Sequence, residues 1–134
     1  MNTKLTVVSA VAGLLVAAWP VAAHHAFAAE FDANKPITLT GAVTRIEWTN
    51  PHAWFYIDVK DEAGQITTWG WEMNSPNALM RAGWTRNSVN IGDIVTVEGS
   101  RAKNGSNNAN ARVVILKATG QRLFAASSQG QPQP

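Results

Sequence analysis

Apolar and polar residues alternate along much of this chain, a pattern that predicts β-strands. The alternating segments are residues 37–48, 53–59, 65–73, 94–99 and 111–117. In the second segment every other residue is aliphatic or aromatic, and in the third Thr67, Trp69, Trp71 and Met73 share a face, so one face of each strand is expected to line a core. Trp69 and Trp71 share such a face and are expected to fill the interior.

The segments between the strands carry turn and helix signals. Ser75 followed by Pro76 is typical of a helix start, and residues 77–82 are predicted to be helical until Gly83 ends the helix. Residues 101–110 are polar and predict a loop. Ser, Gln, Gly and Pro dominate residues 125–134, which predicts a disordered tail.

Three consecutive strands, a short helix and two further strands predict an all-β fold with a small inserted helix. This order matches a five-stranded OB-fold-like barrel, whereas a β-sandwich would need about seven strands. Gly41 is expected to let the long first strand bend. The barrel is assigned to residues 37–124, preceded by a polar N-terminal arm over residues 24–36. In such barrels ligands meet the loops after the first and fourth strands, here residues 49–52 and 101–110.

Residues 1–23 have the organisation of a secretory signal peptide. Lys4 precedes an apolar run over residues 5–18, and Val21-Ala22-Ala23 forms a small-residue cleavage site. The alternative is an uncleaved membrane anchor, but the run is short for a span of ~20 residues. We therefore expect a periplasmic or secreted protein with no membrane span after cleavage.

Charge and composition exclude several functions. Removal of residues 1–23 takes Lys4 from the 11 basic residues and leaves 10, against 9 acidic residues. A nearly neutral chain lacks the cationic surface that drives nucleic-acid binding, so no nucleic-acid partner is expected. The sequence has no cysteine, which leaves histidines and carboxylates as the plausible metal ligands.

The three histidines suggest a metal site. Cleavage after Ala23 would make His24 the N-terminal residue, so that its α-amine and imidazole could chelate a metal beside His25. His52, in the turn TNPHAW, could complete the set if the arm folds back. Nitrogen ligands suit copper, zinc and nickel, with Cu(II) bound most tightly, so copper is the favoured ion. The alternative is that His24 and His25 are simply exposed and that His52 caps a turn.

A second function remains open, that of a module binding a glycan, peptide or envelope partner. Trp54 and Tyr56 would present rings beside the turn, with the amides of Asn50 and Asn107 able to bond a polar ligand. An enzyme is the least favoured reading, and no catalytic residue is predicted. The acidic residues at outward strand positions are expected to be solvated: Glu47, Asp58, Glu72 and Glu98.

The chain resembles an uncharacterised family of short exported bacterial proteins known only as a domain of unknown function. The resemblance spans residues 24–124 and is carried by the HH-x-F start, the NPH-x-W turn and the SPNAL helix start. It implies export and a small β-barrel, and it implies no activity. A more distant similarity, to periplasmic bacterial OB-fold proteins linked to stress tolerance and suggested to bind cations, supports the architecture.

Overall fold

The computed structural model describes residues 27–126. Residues 27–30 are helical and lead into the first strand. The strands and the helix that follow are β1 (Phe31–Glu47), β2 (Trp54–Lys60), β3 (Ile66–Glu72), α1 (Pro76–Arg81), β4 (Ile94–Ala102), β5 (Asn108–Leu116) and β6 (Arg122–Phe124). The predicted signal peptide, His24, His25 and residues 127–134 lie outside the described residues.

The first five strands pair in a closed ring. β1, β2 and β3 form an antiparallel meander, and β4 pairs antiparallel with both β1 and β5. A short parallel pairing of β3 with β5 closes the ring. At Gly41 a Cβ atom would lie 2.3 Å from the backbone oxygen of Asp58, so β1 passes β2 too closely for any side chain. The prediction of an all-β fold is confirmed.

The inner face of the ring holds the apolar core. Trp69 and Trp71 are buried there, as predicted. The inward residues of β2, Phe55 and Ile57, are also buried as predicted. Other core residues come from the remaining strands and the segment around the helix: Val43, Met73, Leu79, Trp84, Val95, Val97 and Val114.

Helix α1 begins as the sequence predicts. The Ser75 side chain accepts a hydrogen bond from the backbone nitrogen of Ala78 at 3.3 Å, and Pro76 occupies the first turn. Leu79 anchors the helix in the core, with 1% of its surface exposed. Among residues 27–126 there is no helix long and apolar enough to cross a membrane.

Three strand ends lie three or more residues from their predicted positions. β1 begins at Phe31, inside the predicted arm, because Phe31 pairs with Ala102 of β4. The predicted loop over residues 101–110 is wrong at both ends, since β4 extends to Ala102 and β5 begins at Asn108.

The predicted disordered tail begins too early. Ala125 and Ala126 are buried, and the backbone nitrogen of Ala125 donates a hydrogen bond to the backbone oxygen of Arg112.

Candidate functional site

His52 lies near the end of the β1–β2 loop, two residues before β2 begins. Its side chain is 36% exposed, and its Nδ1 atom lies 3.0 Å from Oε1 of Glu72. An ionised carboxylate only accepts hydrogen bonds, so Nδ1 carries the hydrogen and donates it to Glu72. The neutral imidazole then keeps its lone pair on Nε2. This orientation provides one ring nitrogen as a potential ligand.

Glu72 is the buried partner of this histidine. It ends β3 with 7% of its surface exposed, and the same Oε1 atom accepts a hydrogen bond from Nδ2 of Asn110 at 3.3 Å. In the strand register Glu72 pairs with Trp54 on one side and with Asn110 on the other. The prediction that Glu72 is solvated is therefore wrong. Burial of a carboxylate requires such partners.

The electrostatics of this pair favour a protonated imidazole. The hydrogen bond to Glu72 raises the pKa of His52 above its ordinary value of 6.5, while partial burial acts in the opposite direction. The charge of Glu72 raises the pKa further, and so does the charge of Glu30. Glu30 directly precedes β1.

The residues before β1 are held against the β4–β5 connection. The backbone nitrogen of Lys103 donates to the oxygen of Glu30 at 2.9 Å, and the Lys103 ammonium donates to the oxygen of Ala28. From Phe27, three residues back to His24 span at most about 10 Å when extended. The meeting of His24 and His25 with His52 stays a prediction, because both lie outside the described residues.

The described part of the chain contains no group of three His, Cys, Asp or Glu residues arranged to hold a metal. His52 is the one histidine among residues 27–126. A metal at His52 would therefore need ligands from outside that range. The donor set of the sequence prediction, in which His24 and His25 supply the other nitrogens, meets that requirement.

Trp54 and Tyr56 lie side by side on the outer face of β2. Both are half-buried, and their ring centroids are 6.4 Å apart with 21° between the ring planes. The guanidinium carbon of Arg45 lies 3.8 Å from the centroid of Tyr56. We call Trp54 and Tyr56 the aromatic ledge. It begins next to His52 and runs along the outside of the ring.

Beside the ledge, Gly70 of β3 leaves one position on the outer face of the sheet without a side chain. Gly70 pairs with Tyr56 on β2 and with Asn108 on β5. A Cβ atom at Gly70 would lie 2.5 Å from Oδ1 of Asn108 and 3.1 Å from Cε1 of Tyr56. The Asn108 amide and the Tyr56 ring therefore meet over the bare backbone of this glycine.

The two predicted asparagines occupy the loops on either side of this surface. Asn50 is exposed in the β1–β2 turn, where the Asn50–Pro51 bond is cis. Asn107 is also exposed, and its backbone oxygen accepts a hydrogen bond from Gly70 at 2.9 Å. Within residues 27–126 neither asparagine side chain makes a hydrogen bond, so both amides are available to a ligand.

Sequence reasoning missed Glu72, Asn110, Asn108 and Gly70. The hairpin itself carries a signal for the first of these. A turn over residues 61–65 between strands of equal length places Glu72 opposite Trp54, and thus beside His52. Asn108 and Asn110 reach the site through the parallel pairing of β3 with β5, and no local sequence pattern predicts that pairing.

The site is thus a histidine–carboxylate pair and an aromatic ledge on the outside of an all-β domain. The chain belongs to the Family of unknown function (DUF6152), whose model matches residues 10–111. This agrees with the resemblance to an uncharacterised domain. A comparison with curated proteins finds no match.

Proposed function

We propose that this protein is a small exported protein that binds a transition-metal ion, with copper favoured, through His52, His24 and His25. The observation that carries the proposal is the hydrogen bond from Nδ1 of His52 to Glu72. Metal-ligating histidines usually donate their second ring nitrogen to a carboxylate or carbonyl in this way. The bond fixes the ring and leaves Nε2 of His52 as the ligating atom.

The other ligands come from the mature N-terminus. After cleavage behind Ala23, the amine and imidazole of His24 form a chelate, and His25 adds a further imidazole. The bonds from Lys103 to residues 28 and 30 hold the following segment beside the β4–β5 connection. This segment ends at Glu30, whose charge raises the pKa of His52. An all-nitrogen set favours copper over harder ions.

The proposed architecture is an OB-fold-like barrel in the periplasm or outside the cell. The ring order β1–β2–β3–β5–β4, closing on β1, with α1 between β3 and β4, supports this assignment. The site then lies where loops of this fold commonly meet ligands. Export would place the metal site outside the cytosol.

The decisive experiment is Cu(II) titration by calorimetry, with a competing chelator, on protein that begins at His24. We expect one ion per chain, and affinity lowered by at least about tenfold when an extra Met precedes His24 or when His52 is changed to Ala. Electron paramagnetic resonance should show fewer coordinating nitrogens in both proteins. Asn87→Ala, at an exposed position in the segment between α1 and β4, serves as the control.

Two results would contradict the proposal in different ways. Equal affinity with and without the extra Met would exclude the amine of His24 as a ligand. Unchanged binding and an unchanged resonance spectrum in His52→Ala would exclude His52. Mass spectrometry of the exported protein checks the start of the mature chain, which we expect to be His24.

A further inference from the structure

The aromatic ledge leads into a cavity that the metal proposal does not use. The cavity has a volume of about 510 Å³ and lies between residues 29–31 and residues 102–108. This volume is within the usual range of small-ligand sites. Its walls include Glu30, Phe31, Lys103, Asn104 and Asn108.

Asn108 joins the ledge to the cavity. Its amide oxygen lies over Gly70 beside the Tyr56 ring, and the same residue lines the cavity. Within residues 27–126 the Asn108 side chain makes no hydrogen bond. An amide can both donate and accept, so this group can bond a hydroxyl in either sense.

The charges around this surface are balanced. Glu30 and Lys103 contribute one charge of each sign, and Arg45 is paired with Glu47 at 3.3 Å. A phosphate-rich or otherwise polyanionic ligand needs an excess of cations, which this surface does not offer. The balance suits an uncharged ligand.

The backbone around the ledge excludes an extended peptide as an added strand. Tyr56 on β2 is paired with both β1 and β3, and Gly70 on β3 is paired with both β2 and β5. Peptides that extend a sheet require an unpaired strand edge. The features that remain are the Trp54 ring, the Asn108 amide and the Glu30 carboxylate.

We propose that the ledge and the cavity bind a neutral saccharide. A sugar ring has apolar C–H faces, which suit the Trp54 ring, and a rim of hydroxyls. One ring packs on Trp54, beside the Tyr56 ring that Arg45 covers, while neighbouring hydroxyls bond the Asn108 amide and the Glu30 carboxylate. None of the residues proposed to contact the saccharide is a proposed metal ligand, so the two proposals are tested separately.

The test is a nuclear magnetic resonance titration of the chain from His24 onward, with chelator present. The probes are cellotetraose, maltotetraose and chitotriose, with an uncharged extended peptide of similar mass as the fourth. At least one saccharide should shift the Trp54 indole signal and the amides of Gly70 and Asn108. Trp54→Ala should weaken its binding by about tenfold or more, by analogy with ring stacking elsewhere.

Two further variants keep the test independent of folding defects. Asn108→Ala removes the bridging amide and should also weaken saccharide binding, while Asn87→Ala should not. Both should bind Cu(II) like the unchanged protein. The proposal is overturned if no saccharide shifts these signals at millimolar concentration, if the shifts lie elsewhere, or if the peptide alone binds the ledge.

Discussion

At the scale of single residues, Glu72 determines how His52 titrates. Within residues 27–126 the imidazole has a carboxylate partner at 3.0 Å, which Asn110 also bonds. We expect Glu72→Gln to lower the His52 pKa, because the charge and the strong acceptor are lost while the partial burial remains. Histidine proton shifts followed against pH in metal-free protein give the value.

A matched variant separates the two carboxylates that act on His52. Glu30→Gln should lower the pKa of His52 less than Glu72→Gln, since Glu30 contributes only through its charge. Identical titration curves for the unchanged protein and Glu72→Gln would show that the pair does not form in solution.

The same pair makes stability depend on pH. The folded-state pKa of His52 is raised above 6.5, so its contribution is fully present below pH 6.5 and is lost as the pH rises through the folded-state pKa. The unchanged protein should therefore have a larger free energy of unfolding than His52→Asn, and the difference should be greatest below pH 6.5. Urea unfolding of both metal-free proteins at a series of pH values measures the difference. A difference in unfolding free energy that stays constant from pH 5.5 to pH 8 would contradict this prediction.

Local sequence identifies part of this site and cannot identify the rest. The NPHAW turn points to His52 and Trp54, and alternation assigns Tyr56 to the outer face. Alternation also places Glu72 on that face, but it says nothing of what lies over the carboxylate. Its partner Asn110 is distant in sequence and reaches it through a parallel pairing.

At the scale of elements, the central part of each of the five predicted strands was found, and the ends differ most at the start of β1, the end of β4 and the start of β5. Polar residues such as Asn108 and Asn110 have low strand preference. They are in β5 because pairing with β3 and β4 satisfies their backbone groups. Likewise, Phe31 extends β1 because Ala102 is opposite it. Tertiary pairing overrides local preference at these positions.

Helix α1 offers a test in which local sequence and structure agree. Ser75→Ala removes the side-chain acceptor at the helix start and should lower the free energy of unfolding by about 1 kcal/mol. Ser75→Asp should restore most of it, because the carboxylate can accept the same bond. Urea denaturation gives both values. Equal loss in the two variants would mean that the serine acts by packing instead.

At the scale of the whole molecule, the candidate site sits on the seam that closes the ring. The seam consists of three residue pairs between β3 and β5, from Gly70–Asn108 to Glu72–Asn110. The Glu72–Asn110 side-chain bond crosses it, and His52 joins the same carboxylate from the β1–β2 loop. The position of the His52 imidazole is thereby linked to closure of the strand ring.

This connection predicts where the molecule opens first. Asn110→Ala removes a donor to a buried carboxylate and should lower the free energy of unfolding by about 1–3 kcal/mol. Hydrogen exchange should accelerate first at the amides of residues 70–72 and 108–110, because a short seam can open locally while the longer β1–β4 pairing persists. Asn87→Ala should leave exchange unchanged throughout. If Asn110→Ala instead accelerates exchange equally in β1 and β4, the ring opens only by global unfolding, and the seam is not a separate unit.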